Sequence, residues 1–190
     1  MQIDNRIVLA LSNLMGEEKR RLDKIFIFKK AGEVKYFASD GVAAMLITPK
    51  QGELDFDGED GVYTIPSFVK KLVKYKDKEE NAALNNTIFE LKKGRCHCQI
   101  WQGFPIDFTY PIEDVEFKEV PDVFKTAPVE KTAIAFYPEC ARRIGKALGV
   151  LGAGTPLFLI NEGEKYQGMA STDNFNIVYC VIGKDADEKQ

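Results

Sequence analysis

The sequence predicts an α+β fold in which antiparallel sheets are covered on one face by amphipathic helices. One order of elements, a short strand, a helix and then three strands, recurs three times, and each repeat takes about sixty residues. Short polar turns join neighbouring strands, which makes the strands antiparallel, and a helix with one apolar stripe buries it against a sheet. With 190 residues, 45% of them hydrophobic, the chain can bury such a core.

The first repeat is predicted to start with a strand from Met1 to Ile3 and a helix from about Asn5 to Met15, each with apolar residues at the period of its element. The segment Lys30-Ala31-Gly32-Glu33 lies between two apolar runs and predicts a hairpin turn. The three strands of this repeat are predicted at Ile25 to Phe28, Val34 to Ala38 and Ala43 to Thr48.

The second and third repeats each have a proline where the helix is predicted to begin, Pro66 and Pro138. Proline suits the first helical position because its missing N–H would be unpaired there. The predicted strands of the second repeat are Val62 to Ile65, Ile88 to Leu91, Cys96 to Trp101 and Ile106 to Tyr110. Those of the third are Thr132 to Phe136, Leu157 to Ile160, Tyr166 to Ala170 and Asn176 to Ile182.

Acidic, proline-containing stretches separate the repeats and mark the domain organisation. Residues 1–120 are predicted to form one domain made of two repeats, about 1–60 and 61–120. Residues 127–187 are predicted to form the third repeat, which is half of such a domain.

Two of the predicted helices carry basic residues in the same register. Counted from the opening proline, basic side chains stand at offsets +4, +5 and +8 and apolar ones at +3 and +6. Positions three and four apart share a helix face, so each helix presents a cationic stripe opposite the stripe that it buries. The stripes are Lys70, Lys71 and Lys74 in the second repeat, and Arg142, Arg143 and Lys146 in the third.

These stripes have no intervening acidic residue, whereas an ordinary solvated helix face mixes charges of both signs. A face that meets phosphate has a reason to exclude carboxylates, so a phosphate-facing role is favoured over a solvated face. The first helix lacks the pattern, with Leu9, Ala10 and Asn13 at the corresponding offsets. A basic cluster follows this helix instead and is expected to reach a phosphate backbone from a loop: Lys19, Arg20, Arg21 and Lys24.

Two turns of the chain share one form. The segment ASDGVAAMLI from Ala38 and the segment STDNFNIVYCVI from Ser171 both place a tight turn before a strand. Asp40 then corresponds to Asp173, with Gly or Asn next in each turn, as tight turns require.

Longer segments of the second repeat add a family resemblance. YTIPSFVKKLVKY from Tyr63 contains a strand, a proline and a helix, and IDFTYPIEDVEFKEVPD from Ile106 contains a strand and an acidic, proline-containing tail. Taken in order over about 150 residues, these segments and the two turns resemble the bacterial-type DNA sliding clamps, the processivity subunits of replicative DNA polymerase. The order of the segments carries the resemblance more than any single motif.

The resemblance implies a ring with helices on its inner wall and sheets on its outer wall, through which duplex DNA passes. By position, Lys70, Lys71, Lys74, Arg142, Arg143 and Lys146 would line the channel, and Lys19, Arg20 and Arg21 would reach DNA from a loop. Such contacts hold phosphates without reading bases, so the ring slides. The net charge of −3 fits this arrangement because only the lining needs to be positive.

The resemblance also implies a homo-oligomer with no reaction and no cofactor of its own, whose partners are double-stranded DNA and a DNA polymerase or other replication proteins. A clamp domain pairs two repeats, whereas this chain has three. If a closed ring takes twelve repeats, as the resemblance implies, four chains would supply them, and a dimer joined through the third repeat is the alternative. No segment resembles the pocket in which clamps hold polymerase peptides.

The composition predicts a cytoplasmic protein without a membrane partner. No apolar run approaches the ~20 residues that span a bilayer, and the start of the chain has an acidic residue where a signal peptide would have only positive charge. Four cysteines in a chain of this length do not make a disulfide framework, so reduced thiols are expected.

Other chemistries find little support in the sequence. Cys96-His97-Cys98 lacks the spacing of zinc ligands, and in a strand His97 points away from its neighbours, so no metal site is predicted. The segment GVLGAG from Gly149 follows a helix and is interpreted as a helix stop and not as a phosphate loop. No acid, base and nucleophile converge, so no catalytic residue is predicted and a hydrolase or transferase is disfavoured. The alternative function is an interaction module or regulator that binds replication proteins through sheet edges and does not encircle DNA.

Overall fold

A computed structural model of the protein describes residues 2–16, 22–50, 60–71, 86–92, 95–100, 106–109, 137–154, 159–160 and 165–182. These residues form eleven strands, two α-helices and one 3₁₀ helix. All of the strand pairs between them are antiparallel, as the short turns of the sequence predict.

The first repeat contains the predicted strand, helix and three strands. Asp4 caps the helix, because its Oδ1 accepts a hydrogen bond of 2.8 Å from the backbone N–H of Arg6. The helix is shorter than predicted, because the Asn13 side chain donates to the carbonyl of Leu9 at 2.9 Å and the chain turns there. The elements are β1 (Gln2–Asp4), α1 (Asn5–Ser12), β2 (Lys24–Lys30), β3 (Glu33–Ser39) and β4 (Ala43–Pro49).

In the second repeat the predicted strands are present, and the helix differs. Pro66 ends β5, so the helix begins one residue later than predicted, and its described part is a 3₁₀ helix. The elements are β5 (Gly61–Pro66), the 3₁₀ helix Ser67–Lys71, β6 (Asn86–Lys92), β7 (Arg95–Ile100) and β8 (Ile106–Thr109).

In the third repeat the helix begins at Pro138 as predicted, with proline in its first turn. It ends within the GVLGAG segment that was predicted as the helix stop: Gly152 has a φ of 73°, its N–H donates to the carbonyl of Gly149, and the N–H of Ala153 donates to the carbonyl of Leu148. This pair of bonds is the Schellman motif. The predicted strand from Thr132 to Phe136 lies outside the described residues. The elements are α2 (Pro138–Val150), β9 (Leu159–Ile160), β10 (Lys165–Ser171) and β11 (Phe175–Ile182).

The strands form two sheets that mix the repeats. One sheet has the order β1-β6-β7-β8 and the other β5-β2-β3-β4-β11-β10-β9. The segments predicted as the first two repeats exchange their opening strands, since β1 pairs with β6 and β5 pairs with β2. The third repeat joins the larger sheet where β4 pairs with β11, from Pro49 opposite Phe175 to Ala43 opposite Val181. The segments predicted as the first and third repeats therefore share one continuous sheet, and the threefold repeat itself stays a prediction.

The helices cover one face of the larger sheet. Strand residues alternate between faces, so one face presents Ile25, Ile27, Tyr36, Met45 and Tyr179 to the main core, which also contains the buried stripes of α1 and α2. The two helices pack against each other. The opposite face has a smaller cluster of Phe26, Phe37, Ala44 and Cys180. The predicted α+β arrangement of antiparallel sheets and few helices is thereby confirmed.

Candidate nucleic-acid interface

The α2 helix is amphipathic, with a buried stripe and an exposed basic face. Its buried residues recur at helical spacing and enter the main core: Cys140, Ile144, Ala147 and Leu148. Arg142 and Lys146 are exposed and, being four residues apart, lie on one face of the helix. Their side chains are therefore accessible to a ligand that approaches the helix layer.

Arg143, which the sequence places in the same stripe, is turned toward the protein. Its Nε donates to the carbonyl of Asn13 at 2.7 Å and its Nη2 donates to the carbonyl of Met15 at 3.1 Å. Its Nη1 forms an ion pair with Asp40, and its side chain is 23% exposed. The guanidinium thus satisfies carbonyls beyond the end of α1, where positive charge is favourable to the helix dipole.

Asp40, in the turn between β3 and β4, positions the Arg143 guanidinium. Its Oδ1 accepts hydrogen bonds from the N–H groups of Val42 at 2.8 Å and Ala43 at 2.6 Å, while Oδ2 faces Arg143. Gly41 follows with a φ of 90°, a conformation that favours glycine. One carboxylate therefore closes the turn and pairs with α2.

The corresponding turn of the third repeat is closed differently. Asp173 is exposed. The hydroxyl oxygen of Thr172 accepts hydrogen bonds from the backbone N–H groups of Asn174 at 3.3 Å and Phe175 at 3.1 Å. Asp40 and Asp173 are thus equivalent in sequence position but not in their hydrogen bonds.

Glu139 is an acidic member of the basic face that the charge pattern of the sequence leaves out. Arg142 donates from Nε to Glu139 Oε2 at 2.7 Å and from Nη2 to Oε1 at 2.5 Å. This hydrogen-bonded pair lowers the pKa of Glu139, with smaller contributions from the positive charges of Arg142, Arg143 and Lys146. The interpretation of a stripe without carboxylates is therefore incomplete, because Glu139 precedes Arg142 by one turn.

The other predicted basic residues are described only in part. Lys71 is exposed at the end of the 3₁₀ helix, and Lys70 lies in that helix, but its side chain is outside the described part. Lys74 lies outside the described residues, as do Lys19, Arg20 and Arg21. In α1, Leu9 is half-buried and Ala10 is fully buried, as expected of a helix without a basic stripe.

Sequence reasoning missed the partners of the two arginines. Glu139 and Arg142 stand three residues apart on a helix, a spacing that favours an ion pair and was available from the sequence. Arg143 and Asp40 are separated by 103 positions, so no local pattern connects them.

Two negative observations concern the described part of the chain. There, no group of three His, Cys, Asp or Glu side chains is arranged as metal ligands would be. Neither of its α-helices combines the length and apolar character that crossing a membrane requires. The Cys96–His97–Cys98 segment lies within β7, as predicted, and the buried residues Cys140 and Cys180 are not joined in a disulfide.

Comparison with known proteins identifies the fold. No protein-family model and no curated protein matches the sequence. A sliding clamp of Pseudomonas aeruginosa matches with a TM-score of 0.66 at 11% identity, over 97% of this chain and 66% of that one. The β subunit of DNA polymerase III from Borrelia burgdorferi gives 0.65 at 9% identity, over 98% and 64%. The β clamp of Helicobacter pylori, bound to a DNA ligase peptide, gives 0.54 at 12% identity, over 98% and 65%.

The chain therefore has the fold of a bacterial DNA sliding clamp. It spans just under two thirds of the length of the clamp chains it matches, from 64% to 66%.

Proposed function

We propose that this chain acts as a DNA sliding clamp, a processivity factor without a reaction of its own that encircles duplex DNA and tethers a DNA polymerase or another replication protein. The observation that carries the proposal is the exposed face of α2 with Arg142 and Lys146, on the helix layer of a sliding-clamp fold. In such a ring the helix layer faces the DNA.

The chemistry of this face suits a backbone contact. Arginine and lysine on an exposed helix bind phosphate oxygens and carry no sequence information, so the protein moves along DNA without a preferred site. The chain as a whole is acidic, with 26 basic and 29 acidic residues, and a locally positive wall accounts for DNA binding in spite of that.

The basic residues divide into two roles in this proposal. Lys70, Lys71, Arg142 and Lys146 contact phosphates from the helix layer, and Lys74, Lys19, Arg20 and Arg21, which lie outside the described residues, are proposed to add further contacts. Arg143 acts mainly by joining α2 to the end of α1 and to Asp40, because three hydrogen bonds already occupy its guanidinium. Its direct contact with DNA stays a prediction.

The proposed assembly is a homo-oligomeric ring of cytoplasmic subunits. Each chain contributes a domain of two repeats, residues 1–120, and a third repeat, residues 127–187. Sheets that continue from one repeat to the next, as at the β4–β11 pair, provide the kind of junction from which a ring is built. Four chains of three repeats would close it.

The salt dependence of binding to linear duplex DNA tests the proposal. If about six of these eight basic residues contact phosphates, the slope of log affinity against log salt is roughly −5. The double variant Arg142→Ala/Lys146→Ala is expected to make the slope less steep by about 2. The matched control is Lys30→Ala/Lys50→Ala, which removes the same charge from two exposed positions at strand ends.

Equal slopes for the two double variants would contradict the interface on α2. A solution mass near four chains supports the ring, whereas a single chain that does not bind DNA would overturn the proposal and point to the interaction-module alternative.

A further inference from the structure

We infer that Glu139 regulates the grip on DNA by competing with phosphate for Arg142. The inference rests on the proposed function and adds to it a residue that limits how tightly the α2 face holds the backbone. It concerns an acidic residue on the face itself that limits affinity, and not another basic contact.

The geometry of the pair carries the inference. Arg142 uses Nε and Nη2 in a fork on the two carboxylate oxygens of Glu139, at 2.7 and 2.5 Å. The same fork is the one that binds two phosphate oxygens most strongly. A phosphate can obtain the two-pronged contact with Arg142 only by displacing the Glu139 carboxylate. If it does not displace the carboxylate, it binds beside a negative charge that repels it.

The exposure of the pair makes the exchange inexpensive. The side chains of Arg142 and Glu139 are 55% and 57% exposed, and exposed ion pairs contribute little to stability. The ion pair therefore orients the Arg142 side chain and still leaves it able to bind a phosphate. Arg143 behaves differently, since its acceptors lie on other elements and it cannot leave them at small cost.

A weak grip is what sliding demands of such a face. If each guanidinium bound phosphate without competition, each arginine–phosphate contact would be long-lived and would slow the movement of the ring along DNA. A carboxylate that binds the guanidinium again shortens the lifetime of each contact. A purely structural role is the competing explanation, because an acid in the first turn also favours the helix dipole.

Glu139→Gln separates the two explanations, with Glu33→Gln as its matched control. Glu33 is also exposed and also pairs with a basic side chain, Lys35, at 3.1 Å, but it lies on β3, away from α2. Both variants change the net charge equally. We expect Glu139→Gln to bind duplex DNA about two- to fivefold more tightly, with a salt slope steeper by up to about 1, and Glu33→Gln to resemble the wild type.

A second comparison shows whether Glu139 acts through Arg142. In an Arg142→Ala background, Glu139→Gln is expected to lose most of its effect on affinity, and circular dichroism and urea midpoints verify that the variants fold. Equal affinities for Glu139→Gln and Glu33→Gln, in a wild type that binds DNA in a salt-dependent manner, overturn this inference alone. A wild type that does not bind DNA even at low salt overturns the proposed function with it.

Discussion

Arg143 in α2 and Asp40 in the turn between β3 and β4 form an ion pair across 103 positions of the sequence. The same guanidinium donates to two carbonyls beyond the end of α1. The Arg143 side chain thereby joins α2 to two other segments of the chain, the residues after α1 and the β3–β4 turn. The pair thus connects α2 to the turn before β4, the strand that also pairs with β11.

Replacement of Arg143 by alanine is expected to lower the free energy of unfolding by about 2 kcal/mol, because Oδ2 of Asp40 and two carbonyls lose the guanidinium as their donor. Arg143→Lys is expected to recover only part of this loss, since a lysine cannot donate in three directions from a planar fork. Urea denaturation monitored by circular dichroism measures both changes.

Arg142→Ala is the control for this prediction, since Arg142 is exposed and pairs only within its own helix turn. Its urea midpoint is expected to stay close to that of the wild type. Asp40→Asn, which keeps an oxygen for the N–H groups of Val42 and Ala43, is expected to be milder than Asp40→Ala. Similar stabilities for the Arg142 and Arg143 alanine variants would show that the Arg143 bonds contribute nothing.

The thiol of Cys140 is expected to resist alkylation in the folded protein. Burial raises its pKa above the ordinary value of 9.0, the charges of Asp40 and Glu139 act in the same direction, and Arg143 opposes them. The reactive species is the thiolate, so iodoacetamide at pH 8 should modify Cys140 about tenfold or more slowly than in urea-unfolded protein. Mass spectrometry of the peptide that contains Cys140 follows the reaction.

The raised pKa also sets the sign of a pH effect. A group whose pKa is raised by folding stabilises the folded state below its unfolded pKa, and this contribution is lost as the pH rises through the folded value. Stability should therefore fall as the pH increases above about 9, and Cys140→Ala should reduce that dependence. Equal alkylation rates in the folded and unfolded protein would contradict the burial of this thiol.

Ala31→Asn is expected to stabilise the protein by about 0.5–1 kcal/mol. The hairpin between β2 and β3 has a two-residue loop in which Ala31 has a φ of 50° and Gly32 a φ of 82°. Asparagine adopts this left-handed conformation more readily than alanine and precedes glycine in the favoured turn of this kind. Urea midpoints measure the gain.

The Ala31 backbone N–H, which donates to Asp60 at 2.9 Å, is retained in this variant. Gly32→Ala serves as the opposite control, because it adds a Cβ at a positive φ and should destabilise the hairpin. A loss of stability in Ala31→Asn would show that the loop is not under backbone strain.

The local elements were predictable because their causes are local. The strand predicted from Val34 to Ala38 is present as Glu33–Ser39, and the hairpin at Ala31 and Gly32 pairs Lys30 with Glu33. The start of α2 at Pro138 and its end before Gly152 follow from proline and glycine chemistry alone. The shorter α1 was not predicted, since side-chain bonds of Asn13 compete with the helix there.

The pairing of distant segments was not predictable in the same way. A strand shows its apolar period in the sequence, but its backbone hydrogen bonds accept any antiparallel partner, so the pairs β1–β6, β5–β2 and β4–β11 depend on how whole surfaces fit together. The repeat of the sequence suggested separate units. In the structure, the segments predicted as the first two units exchange their opening strands, β1 and β5.

By itself, the sequence determined the strands, the turns, the buried stripe of α2 and the presence of basic residues on that helix. Only the tertiary structure decided which of two neighbouring arginines is accessible. Arg142 and Arg143 carry the same charge, but successive residues point about 100° apart around a helix. The packing of α2 against α1 therefore turns Arg143 to Asp40 and the carbonyls while it leaves Arg142 exposed beside Glu139.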